Sequence, residues 1–190
     1  MALLLATHNA HKLREFARLL IRTEIEGLPP GGEAPEETGD TYAENALIKA
    51  RAAARAHGRP AFADDSGIEA EALQWAPGVR TARYAGEHAT DAENLEKLHD
   101  NAPAGSRARY VCVIAHVDPE TGAEHLFEGR CDGTLAVEPR GSGGFGYDPL
   151  FVPDRFPGCT MAELSDADKD AISHRGHAAR ALEAWLLSGT

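Results

Sequence analysis

The chain has 190 residues, 43% hydrophobic and 26% charged, an ordinary globular composition with room for one real core or two lobes sharing a sheet. Its 19 basic residues against 30 acidic ones give a net charge of −11, which excludes the dense basic surface of a nucleic-acid binder. Nothing approaches about 18 consecutive apolar residues, so no membrane span is expected, and the opening MALLLATHNAHK lacks the basic lead of a signal peptide.

In chain order, Leu3 to Ala6 is an apolar run suited to a buried strand. THNAH is a turn, and Lys12 to about Arg22 reads as a helix with Leu13, Phe16, Leu19 and Leu20 on one face. Gly27 to Gly39, rich in Pro, Gly and Glu, reads as a loop. Thr41 and Glu44 form a capping-box pattern that opens an alanine-rich helix to about His57, stopped by Gly58 and Pro60. A short strand follows, ending at Asp64, then a loop through WAPGVRTARYAG. Thr90 and Glu93 repeat the capping box and start a helix to about His99. Arg109 to Val117 reads as a strand, DPETG as a turn, Glu124 to Arg130 as a second strand and Thr134 to Val137 as a third run. PRGSGGFGYDPLFVP is too rich in Gly and Pro to be regular. Ser165 and Ser173 look like helix N-caps, and the last helix turns Leu182, Trp185 and Leu186 inward. Strands interleaved with helices, then neighbouring strands, then helices predict an α/β protein with a mixed sheet. Cys112, Cys131 and Cys159 lie far apart with no CxxC pair, which fits a reducing cytoplasm better than a disulfide framework or a cysteine zinc site.

Several short stretches can carry chemistry. Asp64 and Asp65 are adjacent where the second strand is expected to end, so both can approach one cavity. There two carboxylates repel unless a hard cation such as Mg²⁺ intervenes. Glu36 and Glu37 could complete such a site; a solvated turn at DDSG and a surface loop at the glutamates are the plain alternatives. THNAHK, between a strand and a helix start, resembles a phosphate cradle, with Thr7 and Asn9 as hydrogen-bonding groups and Lys12 as a cation, although either Thr7 or Asn9 could simply cap the helix. Asn45 and Lys49 share one helix face. SGGFGYDP offers the flat faces of Phe145 and Tyr147 to a planar base, with Asp148 as an acceptor, or else a turn whose aromatics plug the core. Lys169, Ser173, His174 and Arg175 cluster at a helix junction, a donor set suited to carbonyl oxygens or phosphates.

Six motifs in order resemble the inosine triphosphate pyrophosphatase family, which includes bacterial dITP/XTP pyrophosphatases: LATHNAHKLREF, ETGDTYAENALIKA, ADDSGIEAEAL, APGVRTARYAG, GSGGFGYDPLF and MAELSDADKDAISHRG. The resemblance spans nearly the whole chain. It implies one domain over residues 1–190 in two lobes, an elongated mixed sheet flanked by helices, a substrate cleft between the lobes, and a cytoplasmic homodimer. It also implies Mg²⁺-dependent hydrolysis of ITP, dITP and XTP to the nucleoside monophosphate and pyrophosphate. Carried over by position, Thr7, His8, Asn9, Ala10, His11 and Lys12 bind the phosphates, with Lys49 in support. Glu37 and Asp65, with Asp64 alongside, serve the metal; Asp65 takes the proton, and Ser66 contacts substrate. Phe145, Gly146, Tyr147, Asp148, Lys169, His174 and Arg175 line the base pocket. The family has glycines where this chain has His8 and His11, and a small residue in place of Trp75; effects on rate or preference are expected there. A pyrophosphatase for modified pyrimidine or methylated nucleotides, and a nucleotide sensor without turnover, are the rival readings.

Overall fold

Three consecutive buried leucines make β1 (Leu3–Leu5), the start of a six-stranded sheet. The computed structural model describes residues 2–29, 31 and 35–189. After β1 come α1 (Ala10–Leu19), β2 (Ile25–Gly27), α2 (Tyr42–His57) and β3 (Ala61–Ala70), then 3-10 turns at Glu71–Leu73 and Gly78–Arg83. The chain continues through α3 (Asp91–Asn101), β4 (Arg107–Val117), β5 (Glu124–Leu135) and β6 (Phe151–Pro153), and closes with α4 (Asp166–Ile172) and α5 (His174–Leu187). The strand order is β2-β1-β3-β4-β5-β6, with β1 parallel to β2 and β3 and β5 antiparallel to β6: a mixed sheet flanked by helices, the α/β class that the pattern predicts. No described helix is long and apolar enough to cross a membrane.

Local signals placed the helices well. Both capping boxes form, Thr41 with Glu44 and Thr90 with Glu93, and Gly58 closes α2 in the left-handed conformation. Ser165 caps α4, whereas Ser173 is the C-cap of α4 directly before α5. The strands needed more correction. β3 does not end at Asp64 but runs on through Ser66 and Gly67 to Ala70, because the acidic residues find partners inside the protein rather than water. β2 falls where no strand is expected, an edge strand of three residues with Glu26 exposed. The two runs at 124–130 and 134–137 belong to one strand up to Leu135. β6 pairs with its end inside a stretch judged irregular. Gly133 makes that pairing possible: a Cβ there would lie 2.2 Å from the Val152 carbonyl oxygen. The expected loop at 27–39 begins after Gly27; residues 30 and 32–34 lie outside the described residues.

The chain divides into two compact units, Met1–Asp65 with Cys112–Gly129 and Arg175–Thr190, and Ser66–Val111 with Arg130–His174. In the first, alternation along the strands sends side chains to opposite faces. Leu4, Ala61 and Ala63 pack under the alanines of α2, while Leu3, Leu5, Phe62, Cys112 and Ile114 pack under Phe16 of α1 and Ala178 and Leu182 of α5. The second unit has its own core around Ile68, Leu98, Tyr110, Leu135, Leu150 and Phe151.

Candidate active site

The same alternation decides the fate of the two aspartates. Asp64 follows Phe62 onto the face covered by α1 and α5; Asp65 follows Ala61 and Ala63 onto the face covered by α2. Because β3 continues straight through them, the expectation that both turn into one cavity is corrected. Both are buried, at 3% and 7% exposure.

Asp64 sits between two cations. Lys12 Nζ lies 2.9 Å from its Oδ1, and Arg175 Nη2 lies 3.4 Å from its Oδ2. Arg175 also donates from Nη1 to Glu15 Oε2 at 2.5 Å, deep in the unit. Burial by itself would raise the Asp64 pKa, but Lys12, Arg175 and Lys49 outweigh it and hold the carboxyl well below the usual carboxylate range. The thiol of Cys112, 3.9 Å from Asp64 Oδ2, is pushed up by burial and by that neighbouring charge, so it stays protonated. Glu15 escaped the sequence reading, although a signal existed. It shares a helix face with Lys12, Phe16 and Leu19, and a carboxylate on an apolar stripe needs a buried partner.

The Lys12 turn is shaped from within. Thr7 Oγ1 accepts the Asn9 N–H at 3.1 Å, and Asn9 Oδ1 caps α1 by accepting the N–H groups of His11 and Lys12 at 2.9 and 3.2 Å. His8, Ala10 and His11 are exposed on this turn, and Arg14 Nη2 lies 3.0 Å from His11 Nδ1.

On the other face, Asp65 Oδ2 accepts from Asn45 Nδ2 at 3.1 Å, and its Oδ1 lies 3.7 Å from Lys49 Nζ. Asn45 Oδ1 in turn accepts the Gly39 N–H at 2.8 Å. Lys49 donates to Glu37 Oε1 at 2.6 Å, so it is no solvated lysine. Burial is the largest influence on Asp65 and lifts its pKa; Lys49 pulls it down, Glu37 adds to the rise, and the net shift is upward. For Lys49, burial is outweighed by Asp65, Asp64 and Glu37, so its pKa also rises.

Glu37 and Asp65 therefore face one positive centre, the Lys49 ammonium. Among the described residues no three His, Cys, Asp or Glu side chains converge as a ready metal cage. Two carboxylates aimed at one cationic point suit Mg²⁺, which is commonly held by one or two carboxylates and completes its octahedron with water and substrate phosphates. Asp64, placed with these two by the sequence, has its oxygens engaged by Lys12 and Arg175 instead. Ser66 is the next residue on β3, half-buried.

The second unit carries the glycine-rich loop. Asp148 ties it together: its Oδ2 accepts from Lys169 Nζ at 2.8 Å and from the Phe145 N–H at 3.0 Å, and its Oδ1 accepts from Tyr110 Oη at 3.2 Å. Gly144, at φ +71°, allows that closure, since a Cβ there would fall 2.0 Å from Asp148 Oδ2. Lys169 Nζ hangs 5.4 Å from the centre of the Phe145 ring. The His174 ring stacks on Tyr110, centroids 4.5 Å apart and 7° from parallel. The structure thus brings Phe145, Asp148, Lys169 and His174 into one network, with Gly146 and Tyr147 on the same loop. It places Arg175, the neighbour of His174 in sequence, with Glu15 and Asp64 of the first unit.

The Ham1 family profile matches residues 3–185. The dITP/XTP pyrophosphatase of Cutibacterium acnes is 50% identical over 191 residues, covering 95% of this chain and 93% of that protein. That of Geobacillus kaustophilus is 47% identical over 193 residues, covering 96% and 93%. Among solved structures, the Staphylococcus aureus Ham1 protein matches with a TM-score of 0.86 at 38% identity, covering 100% of both chains. The Coxiella burnetii HAM1 protein matches with a TM-score of 0.84 at 44% identity, covering 99% of this chain and 100% of that one. On sequence and fold together, the chain belongs to the Ham1 family.

Proposed function

We propose that the chain is a nucleoside triphosphate pyrophosphatase that hydrolyses dITP, ITP and XTP to the nucleoside monophosphate and pyrophosphate, with Mg²⁺ as cofactor. A relative 50% identical over nearly the full length carries the name dITP/XTP pyrophosphatase, which supports the reaction. The observation that carries the reading is the arrangement of Glu37 and Asp65 around a single cationic point, while Asp64 is neutralised separately.

A triphosphate brings about four negative charges to an acidic protein, so charge must be offset where it binds. Mg²⁺, held by Glu37 and Asp65, would supply positive charge to the phosphates and make water more acidic. Lys12, at the first turn of α1, adds a fixed cation beside the exposed residues His8, Ala10 and His11, and Lys49 adds a second. Asp65, whose burial raises its proton affinity, accepts the proton as a water oxygen bonds to the α-phosphorus and the bond to the bridging oxygen breaks. Pyrophosphate departs with the bridging oxygen. Asp64 keeps Lys12 and Arg175 in place and holds its charge throughout.

The base is assigned to the second unit, against the Phe145 ring. Hypoxanthine and xanthine present an acceptor oxygen at C6, where adenine presents a donor amine. Lys169 is a buried donor paired with Asp148, so a C6 oxygen finds a donor there, whereas the adenine amine faces a second donor. An unmet buried amine costs about 1–3 kcal/mol and a lost bond to a charged donor about 1.5–3 kcal/mol, together a discrimination of about a hundred-fold or more. A homodimer is part of the same proposal; sedimentation at micromolar protein tests it.

Pyrophosphate release from dITP, XTP, dATP, dUTP and a methylated triphosphate, each with Mg²⁺ and with EDTA, tests the function. Turnover of dITP and XTP at least about a hundred-fold above dATP, lost in EDTA, is expected. Preference for dUTP or a methylated triphosphate, or turnover indifferent to EDTA, would overturn it.

A further inference from the structure

The loop Ser142–Pro149 is gripped from inside by Asp148, and it is also gripped from outside. The Tyr147 hydroxyl donates to the Thr81 carbonyl at 2.7 Å. Thr81 is itself fixed to β3, its Oγ1 accepting the Ile68 N–H at 2.9 Å and donating back to the Ile68 carbonyl at 3.4 Å. One residue earlier in the loop, the Gly146 N–H donates to Asp91 Oδ2 at 3.2 Å, at the start of α3. Buried Asn94 then joins α3 to the chain after Thr81, accepting the Ala85 N–H at 2.7 Å and donating to the Ala82 carbonyl at 3.1 Å. The segment from Thr81 to Asn94 is thus a bracket that holds Gly146 and Tyr147 at two points.

We propose that Thr81 and Asp91 are positioning residues that set purine selectivity, by fixing the turn that carries the Phe145 ring relative to Lys169. This rests on the proposed function, specifically on the base lying against Phe145. Neither residue touches the reacting phosphates. Each acts by restraining a backbone that glycines would otherwise leave free: Gly144 and Gly146 both have positive φ, at +71° and +62°. Stacking and a donor at C6 both depend on ring placement to within about an ångström, so a loosened bracket weakens base binding and blurs the distinction between hypoxanthine and adenine.

The test compares Thr81→Val, Thr81→Ser and Asp91→Ala with wild type on three readouts: KM and kcat for dITP, the ratio of kcat/KM between dITP and dATP, and competitive inhibition by inorganic tripolyphosphate, which has no base. Thr81→Val and Asp91→Ala are expected to raise KM for dITP about ten-fold with kcat within about three-fold, and to lower the dITP/dATP ratio by a similar factor. Tripolyphosphate inhibition should stay within about two-fold, and Thr81→Ser should restore wild-type values. Asp91 is exposed, so its variant supplies the answer even if Thr81→Val fails to fold. An unmoved KM and ratio in Asp91→Ala, or a parallel loss of tripolyphosphate inhibition, would overturn the proposal. Wild type that leaves dITP intact would sink the proposed function and this proposal with it. Active wild type with unmoved variants would sink this proposal alone.

Discussion

Asp64 and Asp65 are neighbours in sequence and opposites in structure. One faces α1 and α5 and is held by Lys12 and Arg175; the other faces α2 and is met by Asn45 and Lys49. The first has its pKa depressed, the second raised. Two identical groups thus acquire different chemistry from the helices that happen to cover each side of one strand. A carboxylate between two cations is a fixture of the fold, whereas one that burial makes reluctant to ionise is suited to move a proton.

The comparison breaks first at Asp64. Replacing it with Asn leaves Arg175 and Lys12 without their shared partner, and losing one member of a buried ionic set costs about 3–5 kcal/mol. Asp64→Asn should therefore lower Tm sharply at neutral pH, by calorimetry. The sign with pH follows from the depressed pKa. The stabilisation is present above the unfolded aspartate value of 3.8 and is lost as pH falls towards the folded value. The gap in Tm between wild type and variant should then narrow below about pH 4. A constant gap would detach Asp64 from the acid stability of the protein.

A smaller effect is expected in the second unit. Phe145→Ala removes a stacking face worth about 1–3 kcal/mol, so KM for dITP should rise about ten-fold or more with Tm little changed. An unchanged KM would place the base elsewhere. The smallest effect belongs to Trp75. Gln74 and Trp75 both have positive φ, +54° and +67°, and the Trp75 ring rests 4.2 Å from the guanidinium carbon of Arg109, which pairs with Glu69. Trp75→Gly relieves about 1 kcal/mol of backbone strain and forfeits about as much cation–π attraction. Tm and turnover should both stay close to wild type.

How legible all this was depended on the range of the signals. Thr41 with Glu44 and Thr90 with Glu93 announce helix starts within four residues, and both form. The length of β3 was not legible, because Ser66 and Gly67 look like a turn. What keeps the strand going are partners such as Lys12, Asn45 and Arg175, brought in from distant positions. β2 and β6 are three residues each, too short for periodicity to register. The motif order named these residues but not their grouping in the fold. His174 and Arg175 are adjacent, yet one stacks on Tyr110 while the other bonds Glu15, because the chain passes from one compact unit to the other between them. Glu15 could have been found as the one carboxylate on the apolar side of α1.

The most direct test is Asp65→Asn, with turnover of dITP and thermal melting measured on the same preparation. Loss of a general base predicts a fall in kcat of about a hundred- to ten-thousand-fold. Since the Asp65 pKa is raised by folding, its charge opposes stability at neutral pH, and the variant should melt at the wild-type temperature or above it. Turnover near wild type, or a Tm lowered as sharply as that expected for Asp64→Asn, would contradict the division of labour across β3.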